Sequence, residues 1–218
     1  KKKCCKLACC LLVTFSLLIV GGVMLGIYLP EEQRKQLAST LIDAREPTFV
    51  FNKCESNTTE CCNGLSTICD MRVDKVLFAG MHNAMATRED GFLIVPNHDL
   101  TMEKALTAGY RFINLDVGSC QGKLVFMHGR CHLGQLDPIE TLSKIVAFLD
   151  RHPTEIIVLN LQGVQNEAEN EYLDLEEVAT VLRRTPGFQD KLYVHKQRLQ
   201  NWPALRELRD TVKQIILF

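Results

Sequence analysis

The chain has 218 residues, 46% of them hydrophobic, and its 25 Lys and Arg against 26 Asp and Glu leave a net charge of −1. That length fits one domain with an appendage, and the balance lacks the basic surplus that a nucleic-acid partner selects. The ten cysteines and the uneven spread of apolar residues each need a local explanation.

Residues 1–6 form a basic, cysteine-bearing tail, and residues 7–29 carry no charge and are rich in Leu, Val, Ile and Gly. A helix of that length rises roughly 35 Å, enough for a hydrocarbon core of about 30 Å. The rival is a cleaved signal peptide, whose apolar core is about 7–15 residues long and ends at a small-residue cut site. This run is longer and lacks the cut, so it reads as a transmembrane helix. Lys1, Lys2, Lys3 and Lys6 precede it, whereas Glu31 and Glu32 follow. Positive flanks stay cytoplasmic, so the chain beyond Leu29 is expected to be extracellular or lumenal. Cys4, Cys5, Cys9 and Cys10 at the inner edge read equally as palmitoylation sites or as small apolar residues.

Residues 30–53 read as a stalk. Residues 31–44 are polar with Leu37, Leu41 and Ile42 at helical spacing, and Pro47 disfavours the α conformation just before it. Residues 54–70 are cysteine-rich, with Cys54, Cys61, Cys62 and Cys69, and Asn57 heads an N-glycosylation sequon. With Cys120 and Cys131 the outer part carries an even set of thiols, which reads as disulfides in an oxidising compartment. Cys61 and Cys62 are adjacent and so are expected to take different partners. A zinc site is disfavoured because no second Cys-x-x-Cys pair accompanies them.

From residue 71 to 218 short apolar segments alternate with amphipathic ones. Residues 76–79 read as a strand ending at Gly80, and residues 100–108 as a helix with Thr101 as N-cap. A second strand spans 111–117, and residues 124–127 form a third extended piece, read as its hairpin partner. Residues 138–150 set Ile139, Leu142, Ile145, Val146 and Leu149 on one helical face. Residues 155–161 are almost wholly apolar, as a strand buried on both faces is. A helix over 173–184, a strand over 192–194, a helix over 204–211 and a strand over 212–218 complete the pattern. Repeated strand–helix units imply an α/β fold with a parallel sheet, and a (β/α)8 TIM-type barrel leads. Such barrels take about 250 residues, so residues 71–218 read as the N-terminal part of one, with the second half missing.

Polar residues gather where these strands end. His82 and Asn83 follow the first, Asn114 and Asp116 lie in the second, His128 follows the third piece and Gln162 ends the strand from 155. The C-terminal ends of barrel strands build the active face. Two histidines there suit proton transfer in both directions, one taking a proton from an attacking hydroxyl and the other giving one to a leaving oxygen. His98 and His132 are candidates to line the mouth but read more simply as exposed loop histidines, His152, His195 and Trp202 read as structural or solvated, and the acidic run 167–177 as a solvated face.

The ordered set LFAGMHN (77–83), TMEKALTAGYRF (101–112), Leu115-Asp116, His128-Gly129 and FLDRHPTEII (148–157) resembles the X region of phosphatidylinositol-specific phospholipase C. Cys62-Asn63-Gly64 and Cys69-Asp70 resemble the secreted, cysteine-rich phosphodiesterases of that superfamily. The resemblance implies that His82 and His128 are the catalytic pair, promoting attack by an inositol 2-hydroxyl on phosphorus. It also implies a phospholipid or inositol-phosphate diester as substrate, a membrane surface as partner, and Ca2+ ligands at Asn83 and Asp116.

The chain departs from the family at the metal. Where the eukaryotic branch has carboxylates, this sequence has Asn114 and Gln162, so a calcium site is expected to be weakened. Where the metal-independent bacterial branch has an Arg two residues after the strand-two Asp, this chain has Gly118. Arg130 and Lys123 are nearby cations that could bind substrate instead, although each also reads as a solvated surface residue. The leading function is a membrane-anchored phosphodiesterase of phospholipase C type. The rival is a catalytically inactive barrel serving as a surface binding or adhesion module. A glycerophosphodiester phosphodiesterase fits less well, because that family has His-Arg after strand one and Glu-x-Asp on strand two.

Overall fold

The computed structural model describes residues 29–41, 60–163, 173–197 and 200–218. The expected spanning helix up to residue 28, the thiols Cys4, Cys5, Cys9, Cys10 and Cys54, and the Asn57 sequon lie outside the described residues. Among the described residues no helix is long and apolar enough to cross a membrane. The stalk helix forms as α1 (Glu31–Leu41), with a Glu31–Lys35 ion pair one turn apart (2.7 Å) and Ala38 fully buried.

The centre of the domain is β2 (Phe112–Cys120), whose residues are almost all buried. Its first residues pair in parallel with β1 (Gly80–Met81), and it pairs along most of its length with β5 (Ile157–Gly163), also in parallel. Beyond β5 come β7 (Ile215–Leu217) and β6 (Leu192–Tyr193), both parallel to their neighbours. On its other edge β2 meets β3 (Lys123–Met127), which turns back antiparallel and pairs with β4 (Gln135–Leu136). Among the described residues the sheet is seven-stranded and open, and it is mixed because β3 turns back as the hairpin partner expected of residues 124–127. The reason is local. Gln121 and Gly122 both take left-handed conformations (φ 52° and 73°), the two-residue turn that fits a twisted hairpin.

Residues 76–79, expected to be the first strand, are not one. They are extended but form no ladder, and Leu77 is 98% exposed. The sheet begins only at Gly80, because the segment opposite is the connection entering β2. That connection offers just two amides, from Arg111 and Phe112, both to the Ala79 carbonyl (2.9 and 3.0 Å).

The helices are α2 (Met102–Thr107), α3 (Pro138–Arg151), α4 (Leu175–Arg184), α5 (Phe188–Lys191) and α6 (Leu205–Asp210). The α3 helix starts at Asp137, whose carboxylate accepts from the Glu140 amide (2.8 Å), with Pro138 in the first turn. Its buried face, Leu142, Ile145, Val146 and Leu149, packs with Ile113, Leu115 and Val117 of β2 and Ile157 and Leu159 of β5. Strand alternation sends Phe112, Asn114 and Asp116, with Val158, Asn160 and Gln162, to the opposite, interior side.

The lower interior is filled from the cysteine-rich segment. Cys62 and Cys69 form a disulfide and pack with Ile156, Val158, Ile216, Leu205 and Leu208. Asn63 acts as a surrogate strand: its amide accepts from Ile156 N (2.6 Å) and donates to Ile156 O (3.1 Å). Cys61 is disulfide-bonded as well. At the same end the buried Glu155 carboxylate pairs with Arg111 (2.8 Å), whose guanidinium also donates to the Leu106 carbonyl and lies over the Phe148 ring.

Candidate active site

The polar residues singled out above converge at the upper end of this interior. His82 leaves β1 and stays exposed, while Asn83 adopts a left-handed turn (φ 50°) and is 2% exposed. Asparagine tolerates that region better than most residues, and the turn carries its amide inward. Asn114 and Asp116 come from β2, 3% and 6% exposed. Gln162 stands opposite Asp116 in the β2–β5 register, and Asn160, which the sequence reading did not single out, stands opposite Asn114. His128 follows β3, and Gly129 after it has φ 73°, which explains a glycine behind that histidine.

Hydrogen bonds join Asn83, Asn114, Asp116, Gln162 and His128 into one network. The Asn83 main-chain amide donates to Asn114 Oδ1 (3.0 Å), and Asn114 Nδ2 donates to Gln162 Oε1 (3.4 Å). The Asn83 side-chain orientation follows from its partners. Its nitrogen donates to Asp116 Oδ1 (3.0 Å) and Oδ2 (3.1 Å) and to Asn114 Oδ1 (3.1 Å), and its oxygen accepts from His128 Nε2 (3.1 Å). The other nitrogen of His128, Nδ1, donates to the Val95 carbonyl (3.0 Å). Burial pushes the Asp116 carboxyl above the usual carboxylate range, while the nearby His128 and His82 pull it down.

Three further features bear on the site. The Cys120–Cys131 disulfide ties the turn after His128 back onto the hairpin, around the buried Met127. Gly118 faces that same Met127: a β-carbon there would lie 2.3 Å from its terminal methyl, so a long side chain at 118 requires Met127 to move. Arg130 is exposed just past His128, at the start of a short 3-10 turn. Lys123, in contrast, begins β3, roughly 16 Å from His128 at the rise of an extended strand, and borders a surface cleft with Glu31, Asp90 and Glu140. The fold does not bring it to the histidines.

The loop between β1 and α2, of which the sequence singled out only His98, also reaches the site. Asn97 Nδ2 lies 3.4 Å from His82 Nδ1, and His98 Nε2 donates to the His82 carbonyl (2.7 Å). No spacing rule flags such contacts, since they join a loop to a strand end sixteen residues away. Of the other histidines, His152 packs tilted against the Phe148 ring, and His195 stacks on Trp202 and bonds Tyr193 Oη (3.2 Å). His132 is exposed.

The PI-PLC X domain family matches residues 68–218, most of the chain. The chain belongs to the PI-PLC X family. Among curated relatives of this PI-PLC X domain, it is 29% identical over 161 residues to a "PI-PLC X domain-containing protein 1" of Arthroderma benhamiae, covering 72% of this chain and 50% of the relative. It is 22% identical over 197 residues to an uncharacterized secreted protein of the same fungus, covering 83% and 41%. Among solved structures, the phosphatidylinositol-specific phospholipase C of Staphylococcus aureus superposes with a TM-score of 0.53 at 18% identity, over 75% of this chain and 53% of that one. A point mutant of that enzyme gives 0.54 at 16%, over 78% and 54%. At such identities the likeness carries the fold, and the PI-PLC X chain spans about half the length of the relatives it matches.

Proposed function

We propose that the chain supplies the catalytic half of a phosphoric diester hydrolase of phospholipase C type, with His82 and His128 as its acid–base pair. The observation that carries this reading is the arrangement of His128: one ring nitrogen donates to the Val95 carbonyl and the other faces the Asn83 amide, which rests on Asp116. A ring with both nitrogens protonated satisfies both acceptors, which suits a proton donor. His82, exposed at the same mouth, is left to accept.

In this reading the substrate is a phosphoinositide-like lipid. His82 takes the proton of the inositol 2-hydroxyl as its oxygen bonds to phosphorus, and the bond from phosphorus to the glycerol oxygen breaks. That oxygen leaves as the hydroxyl of diacylglycerol with the proton from His128, and the inositol keeps a cyclic phosphodiester. Arg130, exposed beside His128, is a candidate contact for the phosphate. The Asn83, Asn114, Asp116 and Gln162 donor set fits calcium poorly: one carboxylate among amides, already hydrogen-bonded to one another, lacks the anionic charge that holds Ca2+.

The Cys62–Cys69 and Cys120–Cys131 disulfides favour an extracellular or lumenal location, as does a relative described as secreted. A membrane anchor would keep the mouth near its lipid. The test is hydrolysis of phosphatidylinositol and related diesters by the full-length ectodomain, with calcium and with chelator. His82→Ala and His128→Ala are expected to lower kcat by about 100- to 10,000-fold. A folded, disulfide-bonded protein that cleaves no diester would favour the binding or adhesion module, the reading that the amides at 114 and 162 otherwise support.

A further inference from the structure

We propose that residues 95–98 form a positioning clamp that holds both active-site histidines, with His98 as its principal residue. This rests on the acid–base reading above. The segment reaches His128 through the Val95 carbonyl, which accepts from Nδ1 at 3.0 Å. It reaches His82 twice, through Asn97 Nδ2 at 3.4 Å from Nδ1 and through His98 Nε2, which donates to the main-chain carbonyl at 2.7 Å. Three residues of one four-residue segment thus touch two histidines that enter the site from different strands.

The clamp is itself anchored. The Asn97 and His98 amides donate to the Ala86 carbonyl (2.8 and 3.3 Å), and the Arg88 amide donates to the His98 carbonyl (2.9 Å). Arg88 also pairs with Asp99 (2.8 Å), and Glu89 receives both the Thr101 amide (3.0 Å) and Lys104 (2.7 Å). Phe92, fully buried, fixes the middle of the loop in the core. A loop tied at both ends in this way can hold the two histidines in one orientation, which proton transfer requires.

The chemistry gives each residue a distinct part. A carbonyl can only accept, so Val95 fixes the proton on His128 Nδ1 and leaves Nε2 toward Asn83 and the substrate. His98 must donate from Nε2, and in doing so it pins the last peptide of the β1 exit, on which the His82 side chain is mounted. His98 therefore acts through His82 and not on substrate. A glutamine at 98 keeps an N–H at a similar reach, whereas alanine removes it.

The experiment compares His98→Ala and His98→Gln with the wild-type ectodomain. Steady-state hydrolysis of phosphatidylinositol vesicles is read beside the 15N ring resonances of His82 and His128. His98→Ala is expected to lower kcat roughly 10- to 100-fold with KM within about twofold, and to broaden or shift the His82 ring signals. His98→Gln is expected to restore both readouts to within a few-fold of wild type. Wild-type ring signals in a folded His98→Ala protein, or equal losses in both variants, would overturn the clamp. If the wild type cleaves no diester, the catalytic reading fails, while the ring signals still decide the clamp.

Discussion

At the scale of single residues, Asp116 shows how the site trades stability for arrangement. Burial raises its carboxyl above the ordinary range against the pull of His128 and then His82. The folded chain therefore binds this proton more tightly than the unfolded chain. Its contribution to stability is full below the unfolded carboxylate value and is lost as pH rises through the raised folded value. Asp116→Asn keeps an oxygen for the Asn83 amide but removes the buried charge. It is expected to melt above wild type at neutral pH, with the gap closing as the pH falls through the raised folded value and gone below about 4. Thermal melts across that range check it, and a gap that widens toward acid would refute the assignment. Hydrolysis by the same variant is expected to fall, since Asn83 would no longer bridge His128 to a negative charge.

Among the elements, the junction of β2 and β5 carries the most exposed risk. Arg111 enters β2 and Glu155 enters β5, with side chains 11% and 4% exposed. Removing one partner leaves the other buried and unpaired, at a cost of about 3–5 kcal/mol. Arg111→Met is expected to lose that much in urea unfolding, and Arg111→Met with Glu155→Leu to recover most of it. If the double variant is no better than the single, the cost lies in the Leu106 carbonyl contact and the Phe148 face instead. Elements were legible where their signal was local. The 3.6-residue face of α3 and the apolar β5 formed within two residues of expectation. The expected strand at 76–79 did not, because a strand needs a partner edge, and no feature of those four residues states that one is missing.

On the scale of the whole molecule, covalent ties close the two ends of the interior: Cys62–Cys69 below the site and Cys120–Cys131 above it. A Cys62→Ser, Cys69→Ser pair is expected to lose about 2–3 kcal/mol, the chain-entropy value for so short a loop. It should leave the ring signals of His82 and His128 unchanged, because the site lies at the other end of the strands. Altered histidine signals in that variant would mean that the plug also shapes the mouth.

The sequence by itself determined the alternating architecture, the pairing class of the cysteines and the polar set His82, Asn83, Asn114, Asp116 and His128. Each of these is written in residue type, local period or motif order. Tertiary structure alone decided that Lys123 stands away from the histidines, that residues 76–79 join no ladder, and that Val95, Asn97 and His98 reach the two active-site histidines. Those facts depend on which strand edges meet and how a loop folds back, and distance in space between such segments is not encoded in their separation along the chain.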